Sequence, residues 1–327
     1  MVGVMSDQAS PVKRRSWRVP PDAEETRLDA FARRCLPHLS RREVEKAIQS
    51  RLFRINNRLG KKGDKLLPGD QVTFKGFGHW LLTSPSCQPR LPVRIIYEDA
   101  FVLALDKPAG MPTHGFSGSD QNTLANFVAA ERPDLLMVGK SRWEPGLVHR
   151  LDLETSGLVL VAKTQAAFDD LRQQFRGRQV RKSYWALVRG VTEARGSVAY
   201  PVAHDPRDHK RMRAITDVSR RPRRQKSWPA LTRFQKLWEV DGLSLLEVEM
   251  QTGVTHQIRV HLAALGHPIV GDSLYGREGR QEFGLKRHFL HACRLEFFHP
   301  EDRRIVKIES KLPPELEDLL TRLKGKR

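Results

Sequence analysis

Cysteine is scarce: Cys35, Cys87 and Cys293 are the only three in 327 residues. They lie far apart and none stands in Cys-x-x-Cys spacing, which argues against a disulfide framework and against a structural zinc site. Acidic residues are few beside basic ones, 38 Asp plus Glu against 57 Lys plus Arg, so the formal net charge is +19. Long apolar runs are missing too. No stretch approaches the roughly 20 apolar residues of a membrane-spanning helix, and the N-terminus carries no apolar signal-peptide core. The chain is therefore expected to be soluble, cytoplasmic and monomeric. It has no Gly-rich dinucleotide loop, no Walker-type phosphate loop and no His-Glu-x-x-His pair. His288 with His291, and His256 with His261, come nearest to ligand pairs, and neither has a third ligand beside it. No metal and no cofactor is expected. What abounds is positive charge, and its natural partner is a polyanion rather than a membrane.

The length allows one small and one large domain. Residues 1–22 are polar, with Pro11, Pro20, Pro21 and a Lys13-Arg14-Arg15 cluster, and read as a flexible basic arm. Residues 23–80 form the small unit. Leu28, Phe31, Ala32 and Cys35 recur at helical spacing, and Ser40 caps a second helical pattern with Val44, Ala47 and Ile48 on one face. Strand-like pieces follow at Leu52 to Asn56 and Asp70 to Phe74. The unit is dense in cations, among them Arg41, Arg42, Lys46, Arg51 and Arg54, which predicts a phosphate-tracking face. Residues 81–92 are proline-rich from Ser84 to Pro92 and read as a linker.

Residues 93–327 form the large unit. Ile95 to Leu105 reads as strands turning at Glu98-Asp99; Leu124 to Arg132, Gln165 to Phe175 and Thr255 to Leu265 read as helices; Tyr184 to Val188, Leu243 to Met250 and Leu290 to Phe298 read as strands. Strands come in runs joined by short turns, with helices at irregular intervals. That pattern predicts an α+β domain around a largely antiparallel mixed sheet flanked by helices. Between His204 and Lys226 stands a very basic stretch that includes Lys210 and Arg211, expected to be mobile when free.

The most informative segment is Leu147 to Thr164, LVHRLDLETSGLVLVAKT. It sets Asp152 between Arg150 and a Thr155-Ser156-Gly157 turn, just before an apolar strand. Alone, this is compatible with an ordinary turn whose aspartate bonds locally. The segment resembles the signature of the RluA-type pseudouridine synthases, with His149, Arg150, Leu151 and Asp152 on its histidine, arginine, leucine and aspartate. The resemblance recurs in Lys107-Pro108-Ala109-Gly110 with His114 after it, in Lys182 to Gly190, in Thr252 to Leu262, in Gly266 to Gly276, and at Leu312-Pro313. Arg27-Leu28-Asp29, Leu39-Ser40-Arg41, Ile55-Asn56 and Pro68-Gly69-Asp70 resemble an S4 RNA-binding domain, although Arg51 and Asn57 stand where that family usually has glycine. Arginine tolerates left-handed backbone poorly, so this turn is expected to be built differently.

The resemblance implies isomerisation of uridine to pseudouridine in RNA. Asp152 would be the nucleophile, Tyr184 a stacking platform for the flipped base, and Arg259 the partner that keeps the carboxylate ionised. By helical spacing alone Arg259 would be a surface residue, since Ile258, Leu262 and Leu265 mark the buried stripe. His149, Arg150, Thr155 and Leu312 would contact substrate, with Arg150 entering the space the uridine leaves. Lys210 and Arg211 would join the S4-like cations on RNA. Val254 departs from the arginine common in the third motif. Large-subunit ribosomal RNA is the expected target and transfer RNA the alternative. The rival readings are a non-catalytic RNA-binding or ribosome-assembly protein, and a glycosylase that would release free uracil.

Overall fold

The computed structural model describes residues 13–21, 26–37, 39, 41–76, 85–115, 120–141, 143–208, 210–217, 226–276 and 282–325. The chain divides into two compact units, residues 1–89 with 114–136, and residues 90–113 with 137–327.

In the first unit the strands are β1 (Lys13–Arg18), β2 (Thr26–Arg27), β3 (Phe53–Ile55), β4 (Arg58–Leu59), β5 (Lys65–Leu66) and β6 (Gln71–Gly76). Its first two helices are α1 (Leu28–Cys35) and α2 (Arg41–Gln49). The order β1-β6-β3-β4 makes an antiparallel sheet, and β2 pairs with β5. Leu28, Phe31 and Ala32 of α1 and Val44, Ala47 and Ile48 of α2 meet Phe53, Ile55, Val72 and Phe74 in one core, as the helical and alternating patterns require.

Three expectations change here. Lys13–Arg18, assigned to the flexible arm, is a strand paired along its length with β6. Arg51 does adopt left-handed backbone, φ 60°, as does Asn57 at 69°, so the turn keeps its form without glycine. The expected linker is tied down where it is described: Ser86, Cys87 and Gln88 bond to Asn126 and Ala129 of α3 (Leu124–Glu131). That helix carries a capping box, with Thr123 and Asn126 exchanging side-chain-to-backbone bonds. Residues 1–12, Ser40, the cations Arg220, Arg221, Arg223 and Arg224, and the side chain of Arg42 lie outside the described part.

The second unit is built on strands β7 (Arg94–Glu98), β8 (Val102–Lys107), β9 (Ser156–Ala162), β10 (Arg181–Arg189), β11 (Arg195–Val198), β12 (Val202–His204), β13 (Met212–Ala214), β14 (Ser227–Trp228), β15 (Thr232–Val240), β16 (Leu243–Met250), β17 (Leu290–Phe298) and β18 (Ile305–Glu309). Its helices are α4 (Gln165–Arg176), α5 (Gln257–Ala264) and α6 (Pro314–Lys324). The large sheet has nine strands in the order β11-β15-β16-β10-β17-β9-β8-β7, with β18 on β17. Among the described strands only the β9–β17 pairing is parallel. This is the α+β, largely antiparallel mixed sheet that the strand runs predict. β9 is buried at every residue, which explains its unbroken apolar run: a central strand covered on both faces has no solvent side to mark with polar residues.

The basic stretch after His204 is not simply a loop. β12 pairs with β13 and β14, and Val202, Met212, Ala230 and Val260 close a small core beneath them. Met212 and Trp228 sit among the cations and supply the apolar contact that orders the chain.

Candidate active site

Asp152 sits in the loop before β9, and two neighbouring segments hold that loop. Lys107, fully buried at the end of β8, donates from Nζ to the carbonyls of Pro108, Met111 and Leu153 at 2.9, 2.8 and 3.2 Å. Thr113 Oγ1 donates to Leu151 O at 3.0 Å and accepts from Leu151 N at 3.1 Å, while Gly110 N donates to Leu153 O. The residues on both sides of Asp152 are thus fixed. Beyond it, Arg287 donates to Glu154 O and Ser156 Oγ, and Thr155 is buried with its hydroxyl 2.8 Å from His288 Nε2. Gly157, at φ 113°, lies so close to β17 that a Cβ would come within 2.2 Å of Ala292 O. Only glycine permits that approach.

Asp152 opens into a cavity of about 400 Å³ lined also by Arg150, Tyr184, His256 and Arg259. Arg259 Nη1 donates to Asp152 Oδ2 at 3.3 Å. The rest of its guanidinium forms a fork on the buried Asp272, Nε to Oδ2 at 2.7 Å and Nη2 to Oδ1 at 2.9 Å. Burial penalises both charges, yet the pair keeps the Asp272 carboxyl below, and the Arg259 guanidinium above, its ordinary value. His256 Nε2 stands 3.8 Å from the same Asp152 oxygen. Both neighbours stand at Oδ2 rather than at Oδ1. Tyr184, 4 % exposed, comes from β10 beside a bulge at Ser183/Tyr184. Burial, with the Asp152 charge, pushes its phenol up, so it keeps its proton.

The charged part of the remaining lining is cationic. Arg150, Arg172, Arg176 and Lys182 join Arg259, against Asp152 as the only carboxylate among the described lining residues. Lys182 is buried, donates to Thr252 O at 3.1 Å, and is pushed down to about 8 by loss of solvent. Arg172 donates to Val148 O at 2.8 Å.

Residues 101–264 match the family model of RNA pseudouridylate synthase, and residues 26–72 match the S4 domain. An uncharacterized RNA pseudouridine synthase of Chloroflexus aurantiacus is 37% identical, covering 94% of this chain and 93% of its own. The chain belongs to the RNA pseudouridylate synthase family. As the RluA-type resemblance implied, it is an RNA pseudouridine synthase carrying an S4 domain. A ribosomal large subunit pseudouridine synthase D of Xanthomonas campestris pv. campestris is 34% identical over 98% of this chain and 96% of its own. The solved structure of human RNA pseudouridylate synthase domain containing 1 superposes with a TM-score of 0.55 at 27% identity, covering 71% of this chain and 95% of that one.

Within the synthase, Asp152, Tyr184, Arg259, His149, Arg150 and Thr155 all line one cavity. Arg259 is 4 % exposed; the surface position expected from helical spacing fails because Asp272, which no spacing rule marks, reaches it from the following loop. Arg150 is exposed at the cavity. His149 is engaged inward: Nε2 accepts from Leu160 N at 2.9 Å and the ring stacks on Phe175. Burial, together with the charges of Lys182 and Arg172, holds it down to about 3, so it is neutral. Leu312 is half-buried between β18 and α6, apart from the residues that line the cavity. Val254 packs on the small core around Met212, and its N–H donates to Gln257 Oε1 at 3.2 Å, which gives an apolar residue a place there. Arg41 is exposed and paired with Glu45 at 3.1 Å. Lys46 and Arg51 are exposed, and half-buried Arg54 donates to Asn57 O. Lys210 is exposed, while Arg211 lies over the Tyr275 ring. Reading the sequence quotes Lys107, His256, Asp272 and Tyr275 within motifs but gives them no role in the site, and passes over Arg287; their contacts rest on partners distant in the chain.

Proposed function

We propose that this synthase isomerises uridine in large-subunit ribosomal RNA, with Asp152 as its nucleophile. The observation that carries the assignment is that the described residues lining the cavity include one carboxylate, Asp152, beside five cations. The flipped uridine breaks its N1 glycosidic bond, the uracil turns, and C5 bonds to the same sugar carbon; C5 gives up its hydrogen and N1 gains one, so the product is an isomer. A carboxylate suits both demands, since it adds to carbon or carries a proton. Arg259 and His256 hold one oxygen and leave the other for this work. Tyr184 offers the uracil a ring face, a contact worth about 1–3 kcal/mol. Arg150, exposed beside Asp152, fills the gap left in the RNA, and Arg172 and Arg176 take the flanking phosphates. Thr155 and His149 serve by holding the turn and β9 in place. Leu312 closes on the base only if its segment moves toward it.

The ribosomal target rests on relatives named ribosomal large subunit pseudouridine synthase D and on the S4 domain, whose Arg41, Arg42, Lys46, Arg51 and Arg54, with Lys210 and Arg211, make the phosphate contacts. Pseudouridine mapping in a strain lacking the gene, complemented by wild type or by Asp152→Asn, tests both parts. The expected result is loss of sites confined to large-subunit RNA, restored by wild type alone. Loss confined to transfer RNA would overturn the target. Restoration by Asp152→Asn would overturn the nucleophile. Purified Asp152→Asn is expected to bind transcript normally while tritium release from C5-labelled uridine falls by at least about 10³-fold, as removal of an activated nucleophile does elsewhere.

A further inference from the structure

Tyr275 touches almost everything that touches Asp152, although no part of the reaction described above uses it. Its hydroxyl accepts a hydrogen bond from Met212 N at 2.8 Å and lies 2.8 Å from His256 Nδ1. Its ring is approached by the Arg259 guanidinium at 5.1 Å and the Arg211 guanidinium at 5.4 Å, and its backbone N–H donates to Asp272 Oδ1 at 3.1 Å. Met212 and Arg211 belong to β13 and its approach, the strand folded within the basic stretch. His256 and Arg259 are the two groups on Asp152 Oδ2. One side chain thus joins the cationic segment to the carboxylate.

The direction of the bonds carries the argument. Met212 N–H takes one lone pair of the Tyr275 oxygen, and among the described residues His256 Nδ1 is the one acceptor within reach of the phenol proton, so the phenol donates to it. The imidazole then carries its own proton on Nε2, the nitrogen that faces Asp152 Oδ2 at 3.8 Å. The opposite tautomer would present a lone pair to the carboxylate and repel it. Burial keeps the phenol protonated, pushed up to about 12, and keeps His256 below its ordinary value despite Asp152. His256 also holds left-handed backbone, φ 57°, at the first turn of α5, an arrangement that costs about 1–2 kcal/mol for a residue other than glycine and aims the ring at both partners.

We propose that Tyr275 is a positioning residue: it fixes the tautomer of His256 so that Nε2–H points at Asp152 Oδ2, and it makes that geometry depend on the placement of the basic β12–β13–β14 segment. The inference rests on Asp152 being the nucleophile. RNA phosphates that engage Arg211 and Lys210 then also set the strand whose Met212 N–H holds the phenol, so docking and alignment of the carboxylate are one event.

Tyr275→Phe keeps the ring between the guanidinium groups and removes only the hydroxyl. On a large-subunit RNA transcript, kcat for tritium release is expected to fall about 10- to 100-fold, the worth of one buried hydrogen-bond partner, with KM little changed. His256→Ala should lose a similar amount, and the double variant no more than His256→Ala alone, because the two act through one chain. Imidazole 15N shifts should show His256 of the wild type protonated at Nε2, and a mixture of tautomers in Tyr275→Phe. Unchanged kcat in Tyr275→Phe, losses that multiply in the double variant, or an Nδ1–H tautomer in the wild type would each overturn the proposal. The two spectra need no turnover, so they judge Tyr275 even if Asp152→Asn retains activity and the nucleophile has to be reassigned.

Discussion

Lys107 holds the loop of Asp152 from beneath. An ammonium has three N–H donors, and the carbonyls of Pro108, Met111 and Leu153 accept all three. Lys107→Met keeps the length and removes this donor from the carbonyls of Pro108 and Met111, while Leu153 O keeps Gly110 N. It is expected to cost about 2–4 kcal/mol in urea unfolding and to lower kcat by more than stability explains, because Leu153 is next to Asp152. Burial, with Arg287 adding to it, pushes the amine down from 10.5 to about 7. Between those values the unfolded chain binds the extra proton, so the contribution of Lys107 makes stability rise with pH from about 7 toward 10.5 and stay level below. Unfolding curves from pH 6 to 9 should show a positive slope in wild type that is smaller in Lys107→Met. Equal slopes would show that Lys107 is not the titrating group.

Elements that pack by simple periodicity are legible in the chain. Leu243–Met250 and Leu290–Phe298 are strands end to end as their apolar pattern predicts, and α4 runs one residue past Phe175. Asp152, Tyr184 and Arg259 are found from motifs, and they meet in space. What the sequence hides is set by tertiary contact. The helix read from Thr255 starts at Gln257 because His256 takes left-handed backbone to reach Tyr275 and Asp152. β1 pairs through backbone groups, which a run of arginines does not advertise. The turn from α2 to β3 is the clearest case, since Arg51 N donates to Ile48 O and Leu52 N to Ala47 O and tie the chain into a conformation glycine prefers. Arg51→Gly should therefore raise thermal stability by about 0.5–1 kcal/mol, the left-handed strain relieved less the entropy glycine adds to the unfolded chain. The same change should weaken RNA binding through the lost cation. Destabilisation would mean that the Arg51 side chain makes a contact worth more than the strain.

Across the whole molecule the dominant quantity is the formal charge of +19, and its effect is read by salt. Each phosphate neutralised releases counterions, so log K falls with log salt in proportion to the number of contacts. If six to ten of the cations engage phosphate, binding to a large-subunit transcript should weaken by about 10³–10⁵ between 50 and 200 mM salt. The cations are not equivalent. Arg41 and Lys62 share Glu45 at 3.1 and 2.9 Å, so either must give up a carboxylate to take a phosphate, whereas Lys46 is exposed on the same helix. Lys46→Gln is expected to lower the salt slope by nearly one and to weaken target and unrelated RNA alike, while Arg41→Gln lowers it less, because freed Glu45 remains beside Lys62. With Asp152 acting on the nucleoside as proposed, and not on the phosphates, Asp152→Asn should leave the slope as it is. A filter-binding series at four salt concentrations decides it: an unchanged slope in Lys46→Gln would remove α2 from the phosphate path.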